Sequence, residues 1–150
     1  MLPINKNKNN DKNKFMVVFF IMILKIYTDG GSKGNPGPSS IGGVGYSDGK
    51  KVFEFKKSIG IATNNDAEYM ALIEGLKQVI NFKDLKRVEL FSDSRLMVNQ
   101  VNGLFKVKNG KIREYILKIR GLEQEISLPI SYHLIPREQN AEADRLVNLV

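Results

Sequence analysis

LKIYTDGGSKGNPGP, residues 24–38, is the stretch of the chain from which the fold is most easily read. Residues 24–29 form an apolar, β-rich run that ends at Asp29 and is followed by two glycines, a pattern typical of a strand. The glycine-rich continuation cannot be helical and exposes backbone N–H groups, so it predicts a loop that approaches a ligand closely. The alternative is an ordinary turn in which Asp29 bonds its own backbone.

The rest of the chain alternates candidate strands and helices. Asp48-Gly49 is a tight-turn signal that predicts a hairpin between its two flanking strands. Leu72, Leu76, Val79 and Ile80 recur at helical spacing and predict the apolar face of a long helix. After residues 24–29, the expected elements are strands 41–47 and 51–57, helix 66–82, strand 87–92, helix 94–101, a helix marked by apolar residues from 112 to 126, strand 129–135 and a last helix capped by Asn140.

This order, β-β-β-α-β-α-α-β-α, predicts an α/β fold with a mixed sheet. The first three strands should be antiparallel, and the later ones should be parallel because helices connect them. In such sheets, binding sites form beyond the carboxyl ends of the strands. Asp29 and Asp93 stand at two such ends.

Composition narrows the kinds of site that the chain can build. The 150 residues are most simply one domain, and the formal net charge of +7 favours association with polyanions. The chain has no cysteine and a single histidine, so disulfides are excluded and an all-protein zinc site is disfavoured. Any metal should therefore be held by carboxylates, which are ligands that Mg²⁺ prefers.

The N-terminal residues differ from the rest. Residues 1–14 are rich in Asn and Lys and are expected to be disordered, while residues 15–24 form an apolar run too short to span a bilayer as a helix. We expect a basic and apolar extension over residues 1–21 and one folded domain over residues 22–150. Two alternatives stay open, a membrane anchor in the apolar run and a true start at Met22.

Four acids each have an ordinary structural explanation. Glu68 lies three residues after Asn65, as in a capping box, and Asp93 precedes a helix that it could cap. Asp144 falls in the first turn of the last helix, where the helix dipole stabilises an acid. With Asp29, however, all four lie at strand ends or helix starts, so they could converge on hard divalent cations.

The four segments that contain these acids resemble one known family. TDGGSKGNPGPSSIGGVGY, TNNDAEYMALIEGL, FSDSRLMVNQVNG and PREQNAEADRLVN, in this order and spacing across residues 25–148, are similar to ribonuclease H of type 1. The resemblance implies the ribonuclease H-like fold, a five-stranded mixed sheet flanked by helices. It also implies an enzyme, an endonuclease that cleaves the RNA strand of RNA–DNA hybrids and leaves 5′-phosphate and 3′-hydroxyl ends.

The resemblance also assigns roles to individual residues. Asp29, Glu68, Asp93 and Asp144 are implied as catalytic ligands of two Mg²⁺ ions, with Mn²⁺ as a substitute. Four close carboxylates would repel one another without bound cations, which agrees with that assignment. The implied substrate-binding residues are Ser32, Asn35, Asn64, Asn65 and Asn140.

Two features depart from the better-known members of the family. Arg137 occupies the position where many members carry a catalytic histidine, and because it stays protonated we expect it to act electrostatically. The single histidine, His133, is interpreted as structural. The chain is also too short for the extra basic helix of some members, so a reduced basic patch is expected at Lys106, Lys108, Lys111 and Arg113. Looser discrimination, including cleavage of double-stranded RNA, would follow.

Competing interpretations remain. One is a catalytically silent module of the same fold that binds nucleic acid; others are a different nuclease of the fold and a membrane-tethered protein. We expect a cytoplasmic monomer with no stable protein partner, acting on RNA–DNA hybrid.

Overall fold

The structure is a computed structural model and describes residues 23–150. The expected extension over residues 1–21 lies outside the described residues, as does most of the apolar run. The elements follow the predicted order: β1 (Ile23–Ser32), β2 (Gly37–Ser47), β3 (Lys50–Ala62), α1 (Asn64–Val79), β4 (Arg87–Ser92), α2 (Arg95–Val101), α3 (Gly110–Ile126), β5 (Ile130–Leu134), a 3-10 turn (Arg137–Asn140) and α4 (Ala141–Asn148).

The five strands form one mixed sheet in the order β3-β2-β1-β4-β5. β1 pairs antiparallel with β2, and β2 pairs antiparallel with β3. β4 is parallel to both β1 and β5. The predicted arrangement of three antiparallel strands followed by parallel ones is therefore confirmed, and with it the fold class.

The predicted hairpin is confirmed at the turn between β2 and β3. Asp48 and Gly49 have φ values of 51° and 72°. Two consecutive positive φ angles are typical of the two-residue turn that matches the right-handed twist of paired strands.

The loop after β1 is shorter than the sequence indicates. β1 continues past Asp29 to Ser32 because its pairing with β2 extends to the Ser32–Ser39 pair. The prediction that the strand ends at Asp29 is wrong. Asp29 instead lies just beyond Tyr27, the last residue of β1 that pairs with β4, so its carboxylate stands where the parallel part of the sheet ends.

Helices cover the two faces of the sheet at close range. A Cβ atom on Gly30 would collide with the carbonyl oxygen of Ala67 in α1. A Cβ atom on Gly42 would lie 2.9 Å from the carbonyl oxygen of Ala143 in α4. Glycine thus lets α1 approach one face and α4 the other.

The main core lies between the sheet and α1 to α3. Leu24 and Ile26 of β1 are fully buried there, together with Leu76 of α1 and Ile119 of α3. The predicted apolar face of α1 is confirmed except at Ile80, which follows the last helical residue and is 53% exposed.

None of the helices within residues 23–150 combines the length and the hydropathy that a membrane-spanning helix requires.

Candidate metal centre and cleft

Three acids from different elements meet at the carboxyl end of the parallel strands. Asp29 comes from β1, Glu68 from the second turn of α1, and Asp93 from the junction between β4 and α2. Each offers a carboxylate oxygen, and these oxygens lie within 4.8 Å of one another. We call Asp29, Glu68 and Asp93 the acidic trio.

Burial and mutual repulsion disfavour the charged forms of the trio. Burial raises the pKa of Asp29 to about 6; a hydrogen bond from Glu68 opposes this increase, and the charges of Asp93 and Asp144 add to it. Burial and the Asp29 carboxylate raise the pKa of Glu68 well above its ordinary value. Burial also raises the pKa of Asp93, against the opposing charge of Arg137. Cations bound beside the trio would stabilise its charged form.

The donor set fits a hard divalent cation. The trio supplies oxygen ligands only, as Mg²⁺ and Mn²⁺ prefer. One oxygen of Glu68, Oε2, is buried and has no hydrogen-bond donor within residues 23–150. An unpartnered buried carboxylate oxygen beside two other carboxylates is unfavourable unless a cation contacts it.

Asp144 lies at the same cleft but outside the trio. It stands in the first turn of α4, as predicted, and its Oδ1 lies 3.8 Å from Nη2 of Arg137. Its negative charge contributes to the raised pKa values of Asp29 and Asp93. The structure thus brings three of the four predicted ligands within mutual contact and places the fourth at the edge with Arg137.

These groups line an open cleft of about 810 Å³. Its wall includes all four acids and Arg137, and β1, α1, α2 and α4 contribute to it. Two cations that the sequence analysis did not assign also line it, Lys33 and Arg95. Arg95 lies within the quoted FSDSR segment, but nothing in the sequence indicates that the first residue of α2 faces the cleft.

Three predicted substrate-binding residues form a connected group at the rim. The backbone N–H of Ser32 donates to Oδ1 of Asn64 at 2.8 Å. The backbone N–H of Asn64 donates to Oδ1 of Asn35 at 3.0 Å. The loop between β1 and β2 is therefore fastened to the start of α1. We call Ser32, Asn35 and Asn64 the rim triad.

The other two predicted substrate contacts lie elsewhere. Asn65 lines a neighbouring groove with Lys106 and Lys108. Asn140 is 1% exposed, and its Nδ2 donates to the carbonyl oxygen of Thr28 at 2.9 Å. The rim triad is thus separate from Asn65 and from the buried Asn140.

Two capping predictions are wrong, and a third is correct only in position. The capping box at the start of α1 consists of Thr63 and Asp66, so Asn65 does not cap the helix and Glu68 is available to the trio. The side chain of Ser94, not Asp93, caps α2. Asn140 occupies the N-cap position of α4, but its side chain makes no capping hydrogen bond, and its Nδ2 donates to the carbonyl oxygen of Thr28.

The structure divides the predicted basic patch. Lys111 pairs with Asp66 at 3.3 Å, and Nε of Arg113 donates to the carbonyl oxygen of Val107. Lys106 and Lys108 line the groove beside Asn65. Lys111 lines the same groove, so the three lysines stay together there, and Arg113 does not line this groove.

The side chain of His133 contacts neighbouring residues of the sheet. Its ring stacks on Phe91 with centroids 5.0 Å apart, and its Nε2 lies 2.7 Å from Oγ of Ser131. It is not among the residues that line the cleft. These contacts agree with a structural role.

Several known proteins are similar to this chain. Residues 27–150 match the profile of the family described as reverse transcriptase-like. A bifunctional protein of Mycobacterium tuberculosis is 40% identical over 129 residues, which cover 85% of this chain and 35% of that protein. The ribonuclease HI of Halobacterium salinarum is 39% identical over 123 residues, 81% of this chain and 61% of the relative.

Solved structures agree with the sequence matches. LC11-RNase H1, determined in complex with RNA/DNA hybrid, superposes with a TM-score of 0.81 at 42% identity and covers 85% of this chain and 95% of its own. The Halobacterium salinarum ribonuclease H1 structure gives a TM-score of 0.79 at 38% identity, covering 84% of this chain and 95% of its own. This chain spans about a third of the length of the mycobacterial relative. With the shared fold and the acidic trio, these matches show that the chain belongs to the reverse transcriptase-like family and, within it, to ribonuclease H type 1.

Proposed function

We propose that this protein is a metal-dependent endoribonuclease that cleaves the RNA strand of RNA–DNA hybrids and leaves 5′-phosphate and 3′-hydroxyl ends. The observation that carries the proposal is the acidic trio, whose carboxylate oxygens lie within 4.8 Å of one another in an open cleft. An enzyme that binds a polyanion through a negatively charged cluster needs cations between the two.

Asp29, Glu68, Asp93 and Asp144 would hold two Mg²⁺ ions, and Mn²⁺ is the natural substitute. When bound, the ions supply an activated water and stabilise the leaving oxygen. The chain itself fixes the four carboxylates before substrate arrives. Asp29 is held by a strand, Glu68 and Asp144 by the early turns of two helices, and Asp93 by a strand–helix junction.

Arg137 acts electrostatically in this proposal. It is 80% exposed, it lies 3.8 Å from Asp144, and its charge lowers the pKa of Asp93. Since an arginine stays protonated, it can attract a phosphate or stabilise a product anion but cannot remove a proton from water. Asp144 therefore lies beside Arg137 at the edge of the trio.

The rim triad is the proposed contact with the minor groove of the hybrid. Asn side chains and backbone amides suit the 2′-hydroxyl groups by which RNA is told from DNA. The related LC11-RNase H1 was solved with RNA/DNA hybrid, which supports a hybrid as the ligand. Asn65 lines a groove with Lys106 and Lys108 and would contact the adjoining sugar–phosphate backbone of the hybrid.

Substrate breadth and setting are further proposals. The reduced basic patch and Arg137 favour looser discrimination, with cleavage of double-stranded RNA at a lower rate. We also propose that the protein acts as a monomer in the cytoplasm, without a stable protein partner.

The second candidate is a catalytically silent module that binds hybrid. The pairing of Lys111 with Asp66 and the raised pKa of Asp29 are compatible with a protein that binds nucleic acid without cutting. The two functions differ in one respect, whether phosphodiester bonds are broken when metal is supplied.

Cleavage of end-labelled RNA–DNA hybrid tests the proposal, with duplex RNA and duplex DNA in parallel, in Mg²⁺, Mn²⁺ or EDTA. Within the hybrid, the wild type should cut only the RNA strand and only with metal. It should cut duplex RNA more slowly and duplex DNA not at all, and Asp29→Asn should cut none of them. Asp48→Asn is a matched control because Asp48 lies in an exposed turn with a positive φ, which asparagine tolerates. Tight hybrid binding with no cleavage in either metal would favour the silent module.

A further inference from the structure

Asp66 is an acid near the cleft that the proposed reaction leaves without a role. It stands in the first turn of α1 and is only 7% exposed. Its Oδ2 accepts hydrogen bonds from the backbone N–H of Thr63 at 3.1 Å and from the Thr63 hydroxyl at 2.8 Å. These bonds belong to an ordinary capping box.

The second oxygen of Asp66 faces a different element. Oδ1 accepts a hydrogen bond from the hydroxyl of Tyr115 at 3.1 Å and lies 3.3 Å from Nζ of Lys111. Both residues belong to α3. A capping box needs neither contact, so a buried carboxylate that also bonds two groups of another helix does more than begin α1.

The partner side of this contact is itself held in place. The Tyr115 ring stacks on Tyr69, with centroids 5.4 Å apart and planes 11° from parallel. The Tyr69 hydroxyl donates to Oε1 of Gln100 in α2 at 2.7 Å. The hydroxyl that meets Asp66 therefore has little freedom, and α1, α2 and α3 are joined through this contact.

The turn that Asp66 fixes leads directly into the rim triad. Thr63 precedes Asn64, whose backbone N–H and side chain bond Asn35 and Ser32. A shift of the Thr63 backbone would move Asn64 and break its contacts with the loop between β1 and β2. Small displacements of positioning groups are costly because substrate contacts require accurate geometry.

We propose that Asp66 is a positioning residue for hybrid binding, which locks the start of α1 to Tyr115 and Lys111 and thereby holds the rim triad in its binding geometry. The inference rests on the proposed function, since the rim triad is the contact assigned to the hybrid. It concerns substrate binding and not the chemical step, because Asp66 is not among the residues that line the cleft.

Asp66→Asn tests the inference because two effects of the substitution would change KM for hybrid in opposite directions. Removal of a negative charge near Lys106 and Lys108 would by itself lower KM for a polyanion. Loss of positioning raises KM instead, because the new NH2 group replaces one carboxylate oxygen and so faces either the donors of Thr63 or those of Tyr115 and Lys111. We expect KM for hybrid to rise about five- to tenfold, with kcat within twofold of the wild type.

Two further variants make the result specific. Tyr115→Phe removes one hydrogen bond to Asp66 without a change of charge and should raise KM about two- to threefold. Asp84→Asn removes the same charge at an exposed position beyond the end of α1 and should leave both constants unchanged. All kinetics are measured at least about 15 °C below the melting temperature of each variant, so the fraction folded stays near one.

An unchanged or lower KM in Asp66→Asn would overturn the inference. So would a fall in kcat with no change in KM, which indicates a general structural defect. If the proposed function itself is wrong, the wild type will not cleave hybrid, and this result differs from the outcomes that overturn only the inference about Asp66. In that case the dissociation constant for hybrid in EDTA replaces KM, and equal affinity of wild type and Asp66→Asn overturns the inference.

Discussion

Glu68 illustrates how a residue can be favourable for function and unfavourable for the folded state. Among residues 23–150 its Oε2 is buried without a hydrogen-bond donor, and it shares the trio with two other carboxylates. We therefore expect metal-free Glu68→Gln to be more stable than the wild type by about 1 kcal/mol, or roughly 3 °C in Tm. Thermal unfolding in EDTA at pH 7 measures the difference.

The same experiment with added Mg²⁺ should reverse the order. Bound cations stabilise the wild type by mass action, and the variant has lost a ligand. A Glu68→Gln protein that is less stable than the wild type in EDTA would show that the trio is not repulsive in the folded state.

At the residue scale, the sequence indicated the members of the site better than their local contacts. Asp29, Glu68 and Asp93 converge as predicted, and Asp144 lies beside them. Some local contacts were not predicted because they depend on partners that are distant in the chain. Asn140, for example, bonds Thr28, which is 112 positions away in the chain. The Thr63–Asp66 box does follow the capping pattern of a hydroxyl residue followed three positions later by an acid, so this box could have been found.

At the element scale, two glycines should respond oppositely to alanine. Gly30 lies in β1, where a Cβ atom would collide with the backbone of α1, so Gly30→Ala should destabilise the fold by about 3 kcal/mol. Gly121 lies in the exposed face of α3, and beyond the adjacent helical backbone no atom of the described residues lies within 4 Å of an added Cβ. Gly121→Ala should stabilise the protein by about 0.5–1 kcal/mol.

Urea unfolding of the two variants, compared with the wild type, measures both changes. Because the helix propensity gain at Gly121 needs no tertiary contact, it should appear as a higher midpoint with an unchanged m-value. Equal effects at the two glycines would mean that α1 does not approach β1 as closely as described.

Most elements could be predicted because their signals are local. The Asp48-Gly49 turn and the apolar spacing of α1 are visible in the sequence. The end of β1 could not be predicted, because Gly30 to Ser32 have poor strand propensity and are extended by pairing with β2. When pairing with a neighbouring strand determines where a strand ends, the sequence of that strand alone does not predict its end.

At the scale of the whole molecule, buried tyrosines predict a loss of stability at high pH. Burial raises the pKa of Tyr69 to about 12, and burial together with Asp66 raises that of Tyr115 to about 12. Because the folded-state pKa exceeds the unfolded value, unfolding releases a proton at high pH. Their contribution is fully present below about pH 10 and is lost as pH rises through about 12.

Tyr69, which is fully buried, steepens the decline by about 1.4 kcal/mol per pH unit between those limits, and Tyr115, which is only partly buried, steepens it by less because water screens its charge. Denaturant unfolding from pH 8 to pH 11 measures the slope. Tyr69→Phe should be less stable at pH 8, since it loses the bond to Gln100, but its slope above pH 10 should be smaller. An identical slope would mean that Tyr69 ionises freely in the folded protein.

The proposed function requires that RNA be cut at the acidic trio. The most direct test is the rate of RNA-strand cleavage in Mg²⁺ by wild type, Glu68→Gln and Glu74→Gln. Glu74 lies on the same helix, bonds Gln78, and does not line the cleft, so it controls for loss of a carboxylate from α1. We predict that Glu74→Gln cleaves like the wild type and that Glu68→Gln is slower by at least about 100-fold. Cleavage by Glu68→Gln within about threefold of Glu74→Gln would contradict the account.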